Sequence, residues 1–293
     1  MADPLRLTVL GSGGNLSTPL PTCSCHVCRQ ARARGAPHAR NGNSLFLHDA
    51  NALIDAPEHS YGNLNREGVE RLDYVFLTHW HPDHVAGVRV VQSRDFAPMY
   101  DDRETGLLDV ARAGQPTVVT TERVYERTCD VVGALDHYAS VGWTDVHLLD
   151  VDGPLEANGV TARAIPYSLE GDGDEDAAAF VFERDDRTLL VASDDARHLD
   201  ESALPAADLA VFECGFFETD PAGDPILSET AREFLAGELY HDEVLARIER
   251  VDPDRALLTE IEHLTARSYD DFCDLAREYD RTRFASDGLT VEV

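Results

Sequence analysis

Residues 74–84 read Tyr74-Val75-Phe76-Leu77-Thr78-His79-Trp80-His81-Pro82-Asp83-His84, an apolar run followed at once by four potential metal ligands within six residues. The apolar run predicts a strand buried on both faces, and the ligands fall where that strand ends and the next helix begins. Imidazoles at i and i+2, His79 and His81, splay from a strand end around one cation. The carboxylate of Asp83 and the imidazole of His84 turn toward a second. Two cations a few ångströms apart can share one water, lower its pKa and clamp both the attacking and the leaving oxygen.

Upstream of this stretch, residues 5–10 read as an opening strand. Residues 45–47 and 52–54 form a hairpin around His48-Asp49-Ala50-Asn51. Downstream, 92–105 is loop-like, 117–120 reads as a strand and 122–138 as one periodic helix. Residues 146–149, 160–165, 179–183 and 188–192 read as strands of a second sheet. The order closes with a strand at 211–213, a helix at 242–250, a strand at 256–259 and a helix at 269–279. Strands then helices, twice over, predict an α/β protein of two sheets faced by helices. No linker or repeat divides it, so residues 1–293 are expected to form a single domain. The acidic loop 171–176 lacks the full pattern of a calcium loop and reads as a solvated segment.

Charge narrows the partners. The chain carries 25 basic and 55 acidic side chains, a net charge of −30, and every basic one is arginine. Such self-repulsion is tolerable where salt is concentrated, which predicts a cytoplasmic protein of an extreme halophile; the alternative, an acidic mesophilic protein from a GC-rich genome, explains arginine over lysine but not the −30. Nucleic acids and anionic membranes are poor partners for this surface, and no apolar run reaches the ~20 residues that span a bilayer. A homodimer is compatible with it. Of the six cysteines, three crowd into Cys23-x-Cys25-x-x-Cys28. This is metal spacing rather than a disulfide framework, with a redox role as the alternative. Gly11-Ser12-Gly13-Gly14 is not a dinucleotide loop, because Leu16 stands at the third glycine position and Pro19 blocks the following helix.

His-x-His-x-Asp-His after an apolar strand resembles the signature of the metallo-β-lactamase-fold hydrolases. The resemblance implies an αββα four-layer sandwich with two divalent metal ions, zinc, manganese or iron, at the edge where the sheets meet. It extends to the opening strand with Gly11–Gly14, to Asp55 closing the hairpin and to Ser193-Asp194 after a strand. Asp194 is then expected to bridge the two metals, and Asp55 to orient the histidine loop from behind the ligands. Within the superfamily the chain is most similar to the PhnP-like phosphodiesterases, on Pro19 to Cys28 with Arg40 and Ser44 following. That resemblance implies a structural zinc on Cys23, Cys25, Cys28 and His263, stapling an N-terminal loop at about residues 19–40. His26 is a rival fourth ligand. Three thiolates and one imidazole make a closed tetrahedral site.

The chain departs from the pattern in two places. The position after strand 160–165, where relatives carry a histidine, holds Pro166-Tyr167-Ser168, and the end of strand 256–259 holds Glu260. One metal then keeps His79 and His81, while the other is held by Asp83, His84, Asp194 and Glu260. That oxygen-rich set suits manganese, iron or magnesium. Asp83, Asp194 and His241, a residue resembling one near the active site of relatives, are the expected catalytic residues. The resemblance implies a hydrolase acting through a metal-bound hydroxide on a small phosphate-containing substrate, a phosphodiester or cyclic phosphodiester. The alternatives are a cofactor-biosynthesis enzyme resembling PqqB, or a zinc-stapled scaffold with a decayed site.

Overall fold

The computed structural model describes residues 4–101, 106, 110, 114–235 and 237–293. The first sheet is built from β1 (Arg6–Gly11), β2 (Ser44–Leu47), β3 (Ala52–Ile54), β4 (Tyr74–Phe76), β5 (Thr117–Thr120) and β6 (Asp145–Leu148). The second contains β7 (Leu155–Ala157), β8 (Val160–Tyr167), β9 (Ala177–Arg184), β10 (Arg187–Ala192), β11 (Leu209–Glu213), β12 (Ala256–Thr259) and β13 (Thr282–Phe284). The last strand, β14 (Thr290–Glu292), returns to the first sheet, giving the orders β14-β1-β2-β3-β4-β5-β6 and β13-β12-β11-β10-β9-β8-β7.

Alternation of side chains along the strands sorts the apolar residues into three layers of core. Leu7, Val9, Leu45, Ile54 and Phe76 of the first sheet meet Phe180, Phe182, Val191 and Val211 of the second between the sheets. Phe76 packs edge-on against Phe180 and Phe182 at 5.2 and 5.0 Å between centroids. Its neighbours Val75 and Leu77 point the other way, under Val85, Val88, Val124 and Leu135 of the helical layer. The second sheet does the same outward, with Val181, Leu190 and Phe212 beneath Val244, Ile248 and Phe272. The result is the four-layer αββα sandwich expected from the resemblance.

Four segments differ from the sequence reading. Residues 146–149 do not belong to the second sheet: β6 pairs in parallel with β5 at the edge of the first. Helix 122–138 is two helices, Glu122–Val131 and Ala134–Ser140, separated at Gly133, whose missing side chain weakens helix continuity. Helix 269–279 ends at Leu275 and tightens into a 3₁₀ turn, Ala276–Glu278. The loop expected at 92–105 carries a short helix, Ala97–Asp101, and residues 102–105 lie outside the described residues. Among the described residues no helix is long and apolar enough to cross a membrane.

The topology places the chemistry at one end. β3 and β4 run parallel, as do β10, β11 and β12. The residues just beyond their C-terminal ends are Asp55, Thr78–His84, Ser193-Asp194-Asp195, Cys214 and Glu260. Ala178 N donates to Thr78 O across the sheets at 2.8 Å, tying the histidine loop to β9.

Candidate metal centre

The segment after β4 brings together four of the expected ligands, and the loops after β10 and β12 supply the rest. His79, His81 and Asp195 form one group of ligand atoms, and Asp83, His84, Asp194 and Glu260 another. His79, His84 and Asp194 form a third that joins them. His84 Nε2 lies 3.0 Å from Asp194 Oδ2, 3.5 Å from Glu260 Oε1 and 3.6 Å from Asp83 Oδ2. His79 Nε2 lies 3.7 Å from Asp194 Oδ2, and His81 Nδ1 lies 3.2 Å from Asp195 Oδ2. Asp194 therefore stands between the two groups, where a bridging carboxylate belongs.

The buried atoms His79 Nε2, His84 Nε2 and Glu260 Oε1 make no well-aligned hydrogen bond, His84 Nε2 meeting Asp194 only as an ion-pair contact. Buried polar atoms left this way cost about 1–3 kcal/mol each, so three that belong to adjoining ligand groups are the mark of a cation-binding floor. The donor set, imidazole and carboxylate, fits two divalent cations.

The electrostatics follow from crowding. Burial pushes the Asp194 carboxyl up to about 6, and the neighbouring Asp195 charge adds to it. Burial, with the Asp194 charge, also holds Glu260 well above the ordinary carboxylate range. For His84 burial opposes the charged form, yet Asp55, Asp194 and Glu260 lift its pKa well above the ordinary value. His79 goes the other way: burial, then the His84 and His81 charges, keep it a neutral imidazole, the form that ligates. Divalent cations entering such a cluster displace protons.

Asp55 sets the orientation of the histidine loop. Completely buried and at a positive φ of 58°, it accepts from Thr78 N at 2.9 Å, from Thr78 Oγ1 at 2.8 Å and from His84 Nδ1 at 3.0 Å. His84 is thereby left with Nε2 facing the cleft. Gly14 lets the opening loop approach: a Cβ there would meet Glu262 Oε1 at 2.5 Å and Glu260 Oε2 at 2.9 Å. Glu262 in turn accepts from Asn15 N and Leu16 N.

Asp195 was not among the residues expected from the sequence. It completes the His79 and His81 group where relatives are expected to use a third-strand histidine. At that strand Tyr167 stands instead, and its hydroxyl donates to the Asp194 carbonyl at 2.7 Å, bracing the loop rather than ligating. The signal available was the pair Asp194-Asp195 itself, since the second aspartate adopts a left-handed φ of 47° that Asp tolerates better than most residues. The acidic loop is also more than a solvated segment. Asp176 is buried and accepts from Trp80 Nε1 at 2.9 Å, while Asp174 binds Arg123.

His241 is not brought into the metal groups. It begins the helix His241–Val251, its Nδ1 is 2.8 Å from the Cys214 carbonyl and its Nε2 3.2 Å from the Tyr279 hydroxyl. Phe217 and Phe284 stack beside it, so His241 is packed apart from the ligand groups it was expected to serve.

The cysteine loop and the C-terminal turn do meet. Cys23, Cys25 and Cys28 Sγ each lie 3.7 Å from His263 Nε2. A tetrahedral zinc with Zn–S near 2.3 Å and Zn–N near 2.0 Å sets sulfur and nitrogen about 3.5 Å apart, so the four atoms fit that ion. Thr18 Oγ1 holds His263 Nδ1 from the far side at 3.2 Å. His26, the rival ligand, begins the helix His26–Arg34 and is not part of this group.

Residues 49–261 match the beta-lactamase superfamily domain, and the chain belongs to the metallo-β-lactamase superfamily. A diphosphatase of the PhnP family superposes with a TM-score of 0.69 at 20% identity, over 100% of this chain and 98% of that one. Zn²⁺-bound PqqB of Methylobacterium extorquens gives 0.66 at 17%, over 98% and 100%. YhfI of Bacillus subtilis, a metallo-β-lactamase-fold protein, gives 0.63 at 16%, over 99% and 100%. Among curated proteins the chain is 36% identical over 86 residues to an octanoyltransferase of Porphyromonas gingivalis, which is 29% of this chain and 17% of that protein.

Proposed function

We propose that this protein is a metal-dependent hydrolase that cleaves a phosphodiester or cyclic phosphodiester. The observation that carries the reading is the pair of ligand groups joined at Asp194, with three buried atoms on their floor lacking a well-aligned hydrogen bond. His79, His81 and Asp195 would hold one divalent cation and Asp83, His84, Asp194 and Glu260 the other. Such a pair supplies Lewis acidity toward a phosphoryl oxygen and toward water. The remaining work belongs to the chain. Asp194 keeps the two groups in register, Asp55 and Thr78 hold the histidine loop, and Asp83, at the open side of its group, is placed to accept a proton at its carboxylate. The family to which the PhnP diphosphatase belongs, and the shared cysteine loop, support a phosphate ester as substrate. The intact ligand groups speak against a decayed scaffold.

The test is hydrolysis of bis(p-nitrophenyl) phosphate by manganese-loaded protein. Turnover that chelation abolishes and metal restores is expected, with Asp194→Asn at least about a hundredfold slower. A protein carrying two active-site ions per chain that cleaves no phosphodiester would overturn the reading.

A further inference from the structure

The metal cleft, about 460 Å³ in volume, is more acidic than two cations can neutralise. Four carboxylates stand in the ligand groups, Asp83, Asp194, Asp195 and Glu260, and two divalent ions match their four charges. Glu213, Glu238 and Glu262 line the same cleft outside those groups, and among the described residues no arginine lines it. Two of these three are held by the backbone: Glu213 accepts from Ala196 N, and Glu262 from Asn15 N and Leu16 N. Glu238 is half-buried, and burial first, then the Asp195 and Asp194 charges that bound cations would neutralise, push its carboxyl up to about 7. The buried atoms on the floor, His79 Nε2, His84 Nε2 and Glu260 Oε1, mark where the cations and the reacting phosphoryl group belong. Glu238 and Glu262 then face whatever extends from that phosphoryl group.

This wall selects by charge. A phosphodiester brings one negative charge, which the cations meet, whereas a second phosphate would confront carboxylates with no cation to pair them. Leu16, Phe216, Leu235 and Leu264 line the cleft as well, a surface that suits a weakly hydrated cation with apolar substituents better than a hydrated one.

We propose that the substrate is a phosphodiester whose second arm carries an alkylated ammonium group, received by the carboxylates of Glu238 and Glu262. The inference rests on the phosphodiesterase reading above. In the reaction a water oxygen forms the new bond to phosphorus, the bond from phosphorus to the leaving alcohol breaks, one water proton passes to that alcohol and the other remains on the phosphate or enters solvent.

The experiment compares p-nitrophenyl phosphorylcholine with ethyl p-nitrophenyl phosphate at one fixed salt concentration, using the manganese-loaded protein. The choline ester is expected to show a kcat/KM at least about tenfold higher, Glu238→Gln to bring the ratio within about twofold, and Glu238→Lys to reverse it. Calorimetric titration with the products phosphocholine and ethyl phosphate reads the same preference without turnover. Metal content and melting temperature check each variant, and Glu238→Asp, which keeps the charge and should keep the preference, serves if Glu238→Gln does not fold. Equal kcat/KM and equal affinity for the two arms, or a preference that Glu238→Gln leaves unchanged, overturn the inference. If neither ester is cleaved but phosphocholine still binds tighter and Glu238→Gln removes the difference, the phosphodiesterase reading fails while the acidic wall keeps its role in binding.

Discussion

Asp55 Oδ2 and His84 Nδ1 lie 3.0 Å apart, both side chains removed from solvent, and this contact decides which nitrogen of His84 reaches the cleft. A carboxylate behind a ligating imidazole fixes its tautomer and raises its basicity. Asp55→Asn keeps the shape but allows the amide to donate, so part of the population should present the wrong nitrogen forward. Metal affinity at the active site is expected to fall by about 10–100-fold, measured by competition with a chromophoric chelator. An unchanged affinity would mean that Thr78 alone holds the loop.

The clip formed by Cys23, Cys25, Cys28 and His263 joins residues about 240 positions apart, 263 against 23, and so ties the N-terminal loop to the turn after β12. Binding free energy in a closed zinc site is folding free energy. Cys23→Ser or His263→Ala should therefore lower zinc content and melting temperature together. His26→Ala should change neither. Loss of one zinc without any change in melting would show that the clip does not support the fold.

What was legible in the sequence was local chemistry. His79, His81, Asp83 and His84 share one short loop, and the cysteines share another, so spacing alone exposes them. Asp195 was hidden because its role depends on a left-handed turn after β10 and on Tyr167 occupying the neighbouring strand end. The surroundings of His241 were hidden as well: Phe217, Tyr279 and Phe284, distant in sequence, pack around it, and no local pattern records them. Edge strand β6 went to the wrong sheet because four residues carry strand propensity but no record of their partner.

Stability should depend on acidity through Glu201. Arg250 first, and Arg247 with it, hold its carboxyl down to about 2, through contacts of 2.6, 2.7 and 3.0 Å. A carboxyl lowered on folding contributes stability that is present above its ordinary pKa, near 4.3, and lost as pH falls toward about 2. Arg250 is largely solvated and its share is screened, but Arg247 is buried and would lose a partner. Glu201→Gln is expected to cost about 1–2 kcal/mol at pH 7 and to converge with the parent near pH 2, read by urea unfolding across that range. A difference that persists at the acid end would assign the effect to packing instead.

The two ligand groups can be taken apart one at a time. Asp195 belongs to the group with His79 and His81, and Glu260 to the group with Asp83, His84 and Asp194. Both sit at positive φ, 47° and 51°, so alanine would disturb the backbone as well as the ligand. Asp195→Asn and Glu260→Gln instead remove one charge each at nearly constant shape. Each is expected to lower active-site occupancy by about one ion per chain while leaving the metal content of the cysteine group unchanged, measured by elemental analysis after equilibration with limiting manganese. Hydrolysis should fall roughly a hundredfold in either variant, because in the proposed reaction both cations would act on the same phosphoryl group. Asp195→His is the sharper comparison: it restores the third imidazole absent from β8 and should move the preference of that group from manganese toward zinc. If Asp195→Asn keeps full occupancy, the His79 and His81 group needs no third protein ligand, and Asp195 acts only by raising the negative potential beside Asp194.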